Sequence, residues 1–381
     1  MRVLITTPWY PSPEVPIRGI WTIGHAHAIA QLHDVVMLPF SPRQGTHGAY
    51  TLDDRVDDGI RTLEVAYPPP KVPGLGLVAV RKATREVLRR LAGEGFVPDV
   101  VHAHVFLSAP AALTAKRAAS AALVVNEHLS RVTDWRLSRM ERALARYVYA
   151  RADLVCTTAE RQDARVRQLG AKHTRRVFDT IDTARFRPGN RVRPPDEVRA
   201  IAAGSLDEKK GHRYLLEAVA RARSDVPGLV LDIAGDGELR ADLEGQARSL
   251  RIDDRVRFHG YVTPERLADM MRGADVHVLP SLRESQPHVV GEAIASGLPT
   301  VATNVGSTAE MLAAGGGTVV PPADAEALAD ALVEVCSDLD AFDPQVLANH
   351  ARERYGPEAS ARMWTQIYTG LLQKSPPESG T

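Results

Sequence analysis

Short apolar runs alternate with longer amphipathic segments over almost the whole chain, and this alternation constrains the fold more than any other feature. RVLITT (2–7) is followed by the helical stretch TIGHAHAIAQL (22–32) and by DVVMLPF (34–40), a strand. GIRTLEVAY (59–67), the basic helix VRKATREVLRRLA (80–92), PDVVHAHV (98–105), APAALTAKRAA (109–119), ALVVNEH (122–128), RLSRMERALARYVYARA (136–152), DLVCTT (153–158) and TRRVFD (174–179) continue the pattern. Strand–helix alternation of this kind predicts an α/β fold of parallel sheets with helices on both faces. RFRPGNRVRPPDE (185–197) breaks it with proline, glycine and charge, the composition of a linker. The alternation resumes with VRAIAAGSL (198–206) and runs through LVLDIAGDG, VRFHGYV, ADVHVLPS, PTVATNV and GTVVPP. Two doubly wound domains are expected: residues 1–185, and residues 198–355 after a linker at 186–197. A last helix over 356–373 carries an apolar stripe of Trp364, Ile367, Tyr368 and Leu371 at helical spacing.

Composition excludes several classes of function. Lys plus Arg and Asp plus Glu number 47 each, so the chain lacks the basic excess of a general nucleic-acid binder. Two cysteines, Cys156 and Cys336, form neither a disulfide framework nor a cysteine zinc site. No run approaches the roughly 18 apolar residues of a membrane span, and the N-terminus lacks the long apolar region of a signal peptide. A cytoplasmic protein, at most peripheral on the inner face of a membrane, is expected.

In open parallel sheets ligands bind beyond the carboxyl ends of the strands, so chemistry should follow strands, and with two such domains the natural place is between them. RESQPHVVGEAIASG (283–297) has that placement. Glu284 falls on the loop after the strand ADVHVLPS, Pro287 suits the first turn of a helix, and Glu292 lies about one and a half turns into it, leaning back toward the start. The free N–H groups at this start form an anion-binding surface, and carboxylates accept well from the hydroxyls of a sugar or ribose. Two solvated glutamates on an ordinary helix is the competing reading.

The segment ADVHVLPSLRESQPHVVGEAIASGLPTVATNVGSTAEML (274–312) resembles the retaining nucleotide-sugar glycosyltransferases of family 4, which have the GT-B architecture of two Rossmann-like domains. GSLDEKKGHRYLLEAVA (204–220), DIAGDGELRADLE and VRFHGYVTPERLADMM match in order, as do PWYPSPEVPIRGI, PDVVHAHV and VVNEHLSRV in the first half. The resemblance covers nearly the whole chain. It implies transfer of a hexose from a nucleotide-diphosphate sugar to a hydroxyl acceptor with retention of configuration. It further implies that the domains face each other across a cleft, with the acceptor on the first domain, the donor on the second, and the last helix crossing back to the first. Glu284 would contact the donor hexose and Glu292 the ribose, with Ser285, Gln286, Pro287 and His288 around them. Two readings compete: a nucleotide-sugar epimerase of the same fold, which needs no acceptor, and a sugar-nucleotide-binding protein without turnover.

Lys210, before Gly211 at a helix start, has the place and charge to stabilise the departing pyrophosphate. Ser205 stands where the family often has arginine, a weaker phosphate partner; Lys209, Arg213 or Arg283 compensates, or leaving-group stabilisation is weaker. DTID (179–182) replaces a frequent Asn-Gly and puts the unexplained charge of Asp179 nearby. Gly19 permits close backbone approach to a ligand, and the resemblance puts it beside the donor phosphates. His128, after a strand, would lie by the reacting sugar; a core histidine is the alternative. Arg18, His104 and Arg131 are acceptor-side candidates. His25 and His27 face different ways on their helix and are not expected to form a site. No metal site is expected: the one Asp-x-Asp pair, Asp338 and Asp340, follows a helix, and His102 with His104 lacks an evident third ligand. No cofactor is expected either, the nucleotide sugar being a co-substrate. The helix bearing Arg81, Lys82, Arg85, Arg89 and Arg90, with VPGLGLVAV before it, suits either an anionic membrane surface or plain solvent.

Overall fold

The structure is a computed structural model and describes residues 1–11, 19–69, 75–190, 193–194 and 196–374. In chain order the first elements are β1 (Arg2–Thr7), α1 (Ile20–Ala30), β2 (Asp34–Pro42), β3 (Thr51–Asp57), β4 (Ile60–Tyr67), α2 (Leu75–Gly93), β5 (Val100–His104) and α3 (Ala109–Ala119). They continue with β6 (Ala122–Glu127), α4 (Ser130–Thr133), α5 (Arg139–Tyr149), β7 (Leu154–Thr157), α6 (Glu160–Gln168) and β8 (Thr174–Arg176). The second half contains β9 (Val198–Ala203), α7 (His212–Ala222), β10 (Leu229–Ala234), α8 (Arg240–Ser249), β11 (Val256–Gly260), α9 (Pro264–Arg272) and β12 (Val276–Leu279). It ends with α10 (His288–Ala295), β13 (Thr300–Thr303), α11 (Thr308–Leu312), β14 (Gly317–Val320), α12 (Ala325–Ser337), α13 (Pro344–Tyr355) and α14 (Pro357–Lys374). The chain forms two compact units: Met1–Thr180 together with the segment from Pro357 on, and Ile181–Gly356. The second unit begins ahead of the stretch whose composition suggested a linker.

The first unit holds an eight-stranded sheet in the order β3-β4-β2-β1-β5-β6-β7-β8. All its pairs are parallel except β3–β4. Strand β3, TLDDRVD, has no apolar run and escapes a hydrophobicity reading. Its sequence signal is Asp58-Gly59, both at positive φ (47° and 83°) as a two-residue hairpin requires. Alternation along β1 divides the core. Leu4 packs with Val80, Val87 and Leu91 of α2 and with Ala111 and Ala112 of α3. Val3 and Ile5 point the other way, to Ala26 and Ile29 of α1 and Trp364, Ile367 and Tyr368 of α14. The apolar stripe of the last helix therefore forms half of this unit's second core face. Helix α2 also begins earlier than its basic stretch, taking in residues 75–79.

The second unit holds a six-stranded, wholly parallel sheet in the order β11-β10-β9-β12-β13-β14. Numbered within the unit this is 3-2-1-4-5-6, the doubly wound order, whose strand sequence reverses between β9 and β12. In sheets of this order ligands bind at that reversal, beyond the carboxyl ends of the two strands.

Candidate active site

The reversal point brings together residues that are distant in sequence. After β9 the chain passes Gly204 and Ser205 into a short turn at Glu208–Lys210. Asp207 caps it, its Oδ1 accepting from the Lys210 N–H at 3.2 Å. Leu282 N–H, beyond β12, donates to the Lys209 carbonyl at 2.8 Å, so backbone joins the two loops. Gly211 permits this approach: its φ is +65°, and a Cβ there would lie 2.2 Å from the Pro280 carbonyl oxygen.

Glu284 is the centre of the assembly, with 7% of its side chain exposed. Lys210 Nζ lies 2.7 Å from Oε1, the Ser281 hydroxyl donates to the same oxygen at 2.9 Å, and Lys209 Nζ stands 3.6 Å from Oε2. Burial pushes this carboxyl up, but the charges of Lys210 and Lys209 and the hydrogen bonds from Lys210 and Ser281 together outweigh it and hold the group below the ordinary glutamate value. A residue that sequence reasoning missed, Gly306, fixes the loop. It has φ +59°, and a Cβ there would lie 2.1 Å from the Ser285 carbonyl oxygen and 2.9 Å from that of Glu284. Ser285 and Gln286 are buried beside this turn, and Pro287 is the N-cap of α10, one place before the first turn. His288 opens the helix. Glu292, half-buried on its fifth residue, is pushed up by burial, with Asp182 adding to the rise and His288 and Arg185 opposing it. Ser205 is exposed and donates to Asp207 Oδ2 at 2.7 Å.

The first unit carries a second constellation. His102 and His104, alternate residues of β5, stack at 4.8 Å with an interplanar angle of 4°, and His128, just past β6, stacks on His104 at 5.2 Å and 7°. His104 Nδ1 and His128 Nε2 are 3.1 Å apart. His25, which was not expected to form a site with His27, joins this constellation alone. It is buried in the cluster, with Nε2 3.1 Å from Asp179 Oδ1, and the same oxygen lies 3.3 Å from His128 Nδ1. Because α1 buries this face against β1 and β5, His25 points inward while His27 takes another face, as the spacing required. Asp179 thereby gains a physical account: it is the carboxylate between two imidazoles. His102 Nδ1 lies 2.6 Å from the Tyr368 hydroxyl of α14. Burial, followed by the neighbouring imidazoles, holds His102 and His104 well below the ordinary histidine value, so both are neutral.

Glu127 at the end of β6 was also missed. Its buried carboxylate accepts from Phe106 N at 3.1 Å, His128 N at 3.0 Å, Leu129 N at 2.9 Å and the Tyr149 hydroxyl at 2.7 Å, and so fixes the turn bearing His128. Its only sequence signal is a carboxylate directly after an apolar strand. Gly19 starts α1 in the left-handed conformation (φ +73°), where a Cβ would lie 2.5 Å from the Trp9 carbonyl oxygen. Its glycine is therefore demanded by chain packing, whatever it does toward a ligand. Arg131 is exposed and paired with Glu141 at 2.7 Å. Arg18 lies outside the described residues. Among the described residues no group of three or more His, Cys, Asp and Glu is arranged to hold a metal ion, and no helix is long and apolar enough to cross a membrane.

The family model "Glycosyl transferases group 1" matches residues 186–354, and "Glycosyl transferase 4-like domain" matches residues 24–178. D-inositol 3-phosphate glycosyltransferase 2 of Catenulispora acidiphila is 31% identical over 72% of this chain and 71% of that protein. The chain belongs to the group 1 glycosyltransferases. A glycogen synthase of Mycobacterium tuberculosis is 29% identical to this group 1 chain over 98% of its length and 94% of the relative. The structure of Anabaena HepE in complex with UDP and glucose superimposes with a TM-score of 0.71 at 17% identity, covering 97% of this chain and all of that one. The fold is GT-B, and the protein is a glycosyltransferase.

Proposed function

We propose that this glycosyltransferase is a retaining, family 4 enzyme that moves a hexose from a nucleoside-diphosphate sugar to a hydroxyl acceptor. The observation that carries the reading is the Lys210–Glu284 pair at the reversal point of the second sheet, with the N-terminus of α10 beside it. Glu284 accepts from hexose hydroxyls and Glu292 from the ribose. Ser285, Gln286, Pro287 and His288 form the wall of the donor pocket. The bond from the anomeric carbon to the diphosphate breaks, and the acceptor oxygen bonds to that carbon on the same face through an oxocarbenium-like state. The acceptor's proton passes to the departing phosphate oxygen. Negative charge growing on the diphosphate is met by Lys210 and the α10 amides, whose effect is greater in the transition state than in the ground state. His128 and His104, with Arg18 and Arg131, serve the sugar and acceptor side.

A thermal-shift screen of uridine, guanosine and adenosine diphosphates and their hexose derivatives tests the donor, since a ligand of the native state raises the melting temperature. Incubation of the stabilising donor with candidate acceptors, followed by NMR of the product's anomeric configuration, tests retention. Turnover that survives excess EDTA is expected, and an inverted product would refute the mechanism.

Contact with an anionic membrane surface belongs to the same reading. On α2, Leu77 and Val78 are 45% and 62% exposed, and Arg81, Lys82, Arg85 and Arg89 are exposed without an ion pair among the described residues. Arg90 differs, being paired with Asp54 and Glu94. Flotation with anionic but not neutral vesicles is the expected result.

A further inference from the structure

We infer that Lys209 is a second phosphate-binding cation of the donor site, standing in for the arginine that is absent at Ser205. The inference rests on the donor-site reading above and goes beyond it by choosing among the three cations that could compensate.

Ser205 cannot itself serve as the missing donor in this arrangement, because its hydroxyl proton is directed to Asp207 Oδ2 at 2.7 Å. Asp207 is occupied in turn, its other oxygen capping the Lys210 N–H. Arg213, on α7, is engaged by other partners. Its Nη2 donates to the Tyr214 hydroxyl at 2.6 Å and lies 3.4 Å from Glu208, with the guanidinium over the Tyr214 ring at 4.7 Å. Arg283 is exposed, and the cations paired with Glu284 among the described residues are Lys210 and Lys209.

Lys209 differs from both arginines. The bond from Leu282 N–H to its carbonyl holds its backbone against the loop after β12. Its Nζ stands 3.6 Å from Glu284 Oε2, while Lys210 Nζ sits 2.7 Å from Oε1. The carboxylate is thus bracketed, one ammonium to each oxygen. At 2.7 Å Lys210 is hydrogen-bonded. At 3.6 Å Lys209 is attracted but not bonded, so its three N–H donors remain available to a ligand. The Lys209 ammonium is the cation of this loop with no hydrogen bond of its own to Glu284, and 32% of its side chain is exposed to receive an anion. A diphosphate supplies that anion, and an ammonium acting as a point charge replaces the bidentate grip of a guanidinium.

Binding of UDP, ADP and GDP to the full chain, each compared with its own nucleoside, tests the inference. For whichever diphosphate binds the unmodified chain most tightly, Lys209→Ala is expected to weaken binding about tenfold or more and to leave nucleoside binding unchanged. Lys209→Arg should retain the affinity, and Ser205→Arg on the Lys209→Ala background should restore it. Lys210→Ala separates the two levels of argument. If Lys210→Ala weakens diphosphate binding and Lys209→Ala does not, the Lys209 inference fails alone. If neither does, or no diphosphate binds the unmodified chain, the donor-site reading fails with it. Equal loss of nucleoside and diphosphate binding in Lys209→Ala would show a merely structural lysine and overturn the inference.

Discussion

His25 Nε2 and Asp179 Oδ1 lie 3.1 Å apart, although 154 residues separate them in sequence. The contact ties α1 to the chain after β8 inside the first unit, and it places a carboxylate against the imidazole row that ends at His128. Neither residue carried a functional expectation. Buried polar groups are stabilising only while partnered, so this pair is where the first unit should be most sensitive to a small polar change.

Asp179→Ala removes the hydrogen-bond partner of His25 Nε2 and the carboxylate 3.3 Å from His128 Nδ1. A destabilisation of about 2 kcal/mol is expected from the orphaned His25 nitrogen, measured by urea unfolding. Unchanged stability would mean that the imidazoles satisfy one another without the carboxylate.

Lys210→Ala leaves the developing charge of the leaving group without its nearest cation. Turnover should fall by roughly a hundredfold, the ~3 kcal/mol typical of losing one such stabiliser. Glu284→Gln should also give weak turnover, while the nucleoside diphosphate still binds. If both variants keep the parent rate, the site lies elsewhere.

Glu292 supplies a pH test. Its raised carboxyl means that the folded chain holds this proton more tightly than the unfolded chain. The stabilising contribution is therefore present below the ordinary glutamate range and is lost as pH rises through the raised value. Glu292→Gln should accordingly raise the melting temperature of the ligand-free chain at pH 8, and the two melting curves should converge near pH 4. Glu292→Ala should lower nucleotide affinity. A gain in stability combined with a loss of binding marks a carboxylate kept for function.

Gly306→Ala places a methyl group 2.1 Å from the Ser285 carbonyl oxygen at a left-handed φ. The loop holding Glu284 must shift, so nucleotide-sugar binding and turnover should fall together while the sheet persists by circular dichroism. Retained activity would show that the loop adapts without moving Glu284.

Trp364 is fully buried against the first unit's sheet face, with its ring centroid 4.4 Å from that of His102. Trp364→Ala should cost about 4 kcal/mol, and deletion from Pro357 onward should unfold the first unit, as read by loss of its slow-exchanging amides.

Local physics decided what the sequence by itself determined. Apolar runs bounded by turn residues specify strands, 3.6-residue periodicity specifies helices, and their alternation specifies two parallel sheets. Glu284, Lys210 and the start of α10 were legible as candidates because each lies on or just past a loop that follows a strand, the place where such sheets expose backbone and side chains to ligand. Strand β3 was not legible, since a charged edge strand buries too little apolar surface to leave a pattern. Only the tertiary structure decided which distant groups meet. His25 with Asp179, Glu127 with Phe106 and Tyr149, and Gly306 under Glu284 depend on strand order and on the close approach of loops. Pair distances across 20 to 150 residues are set by how whole sheets assemble, and no local periodicity encodes them.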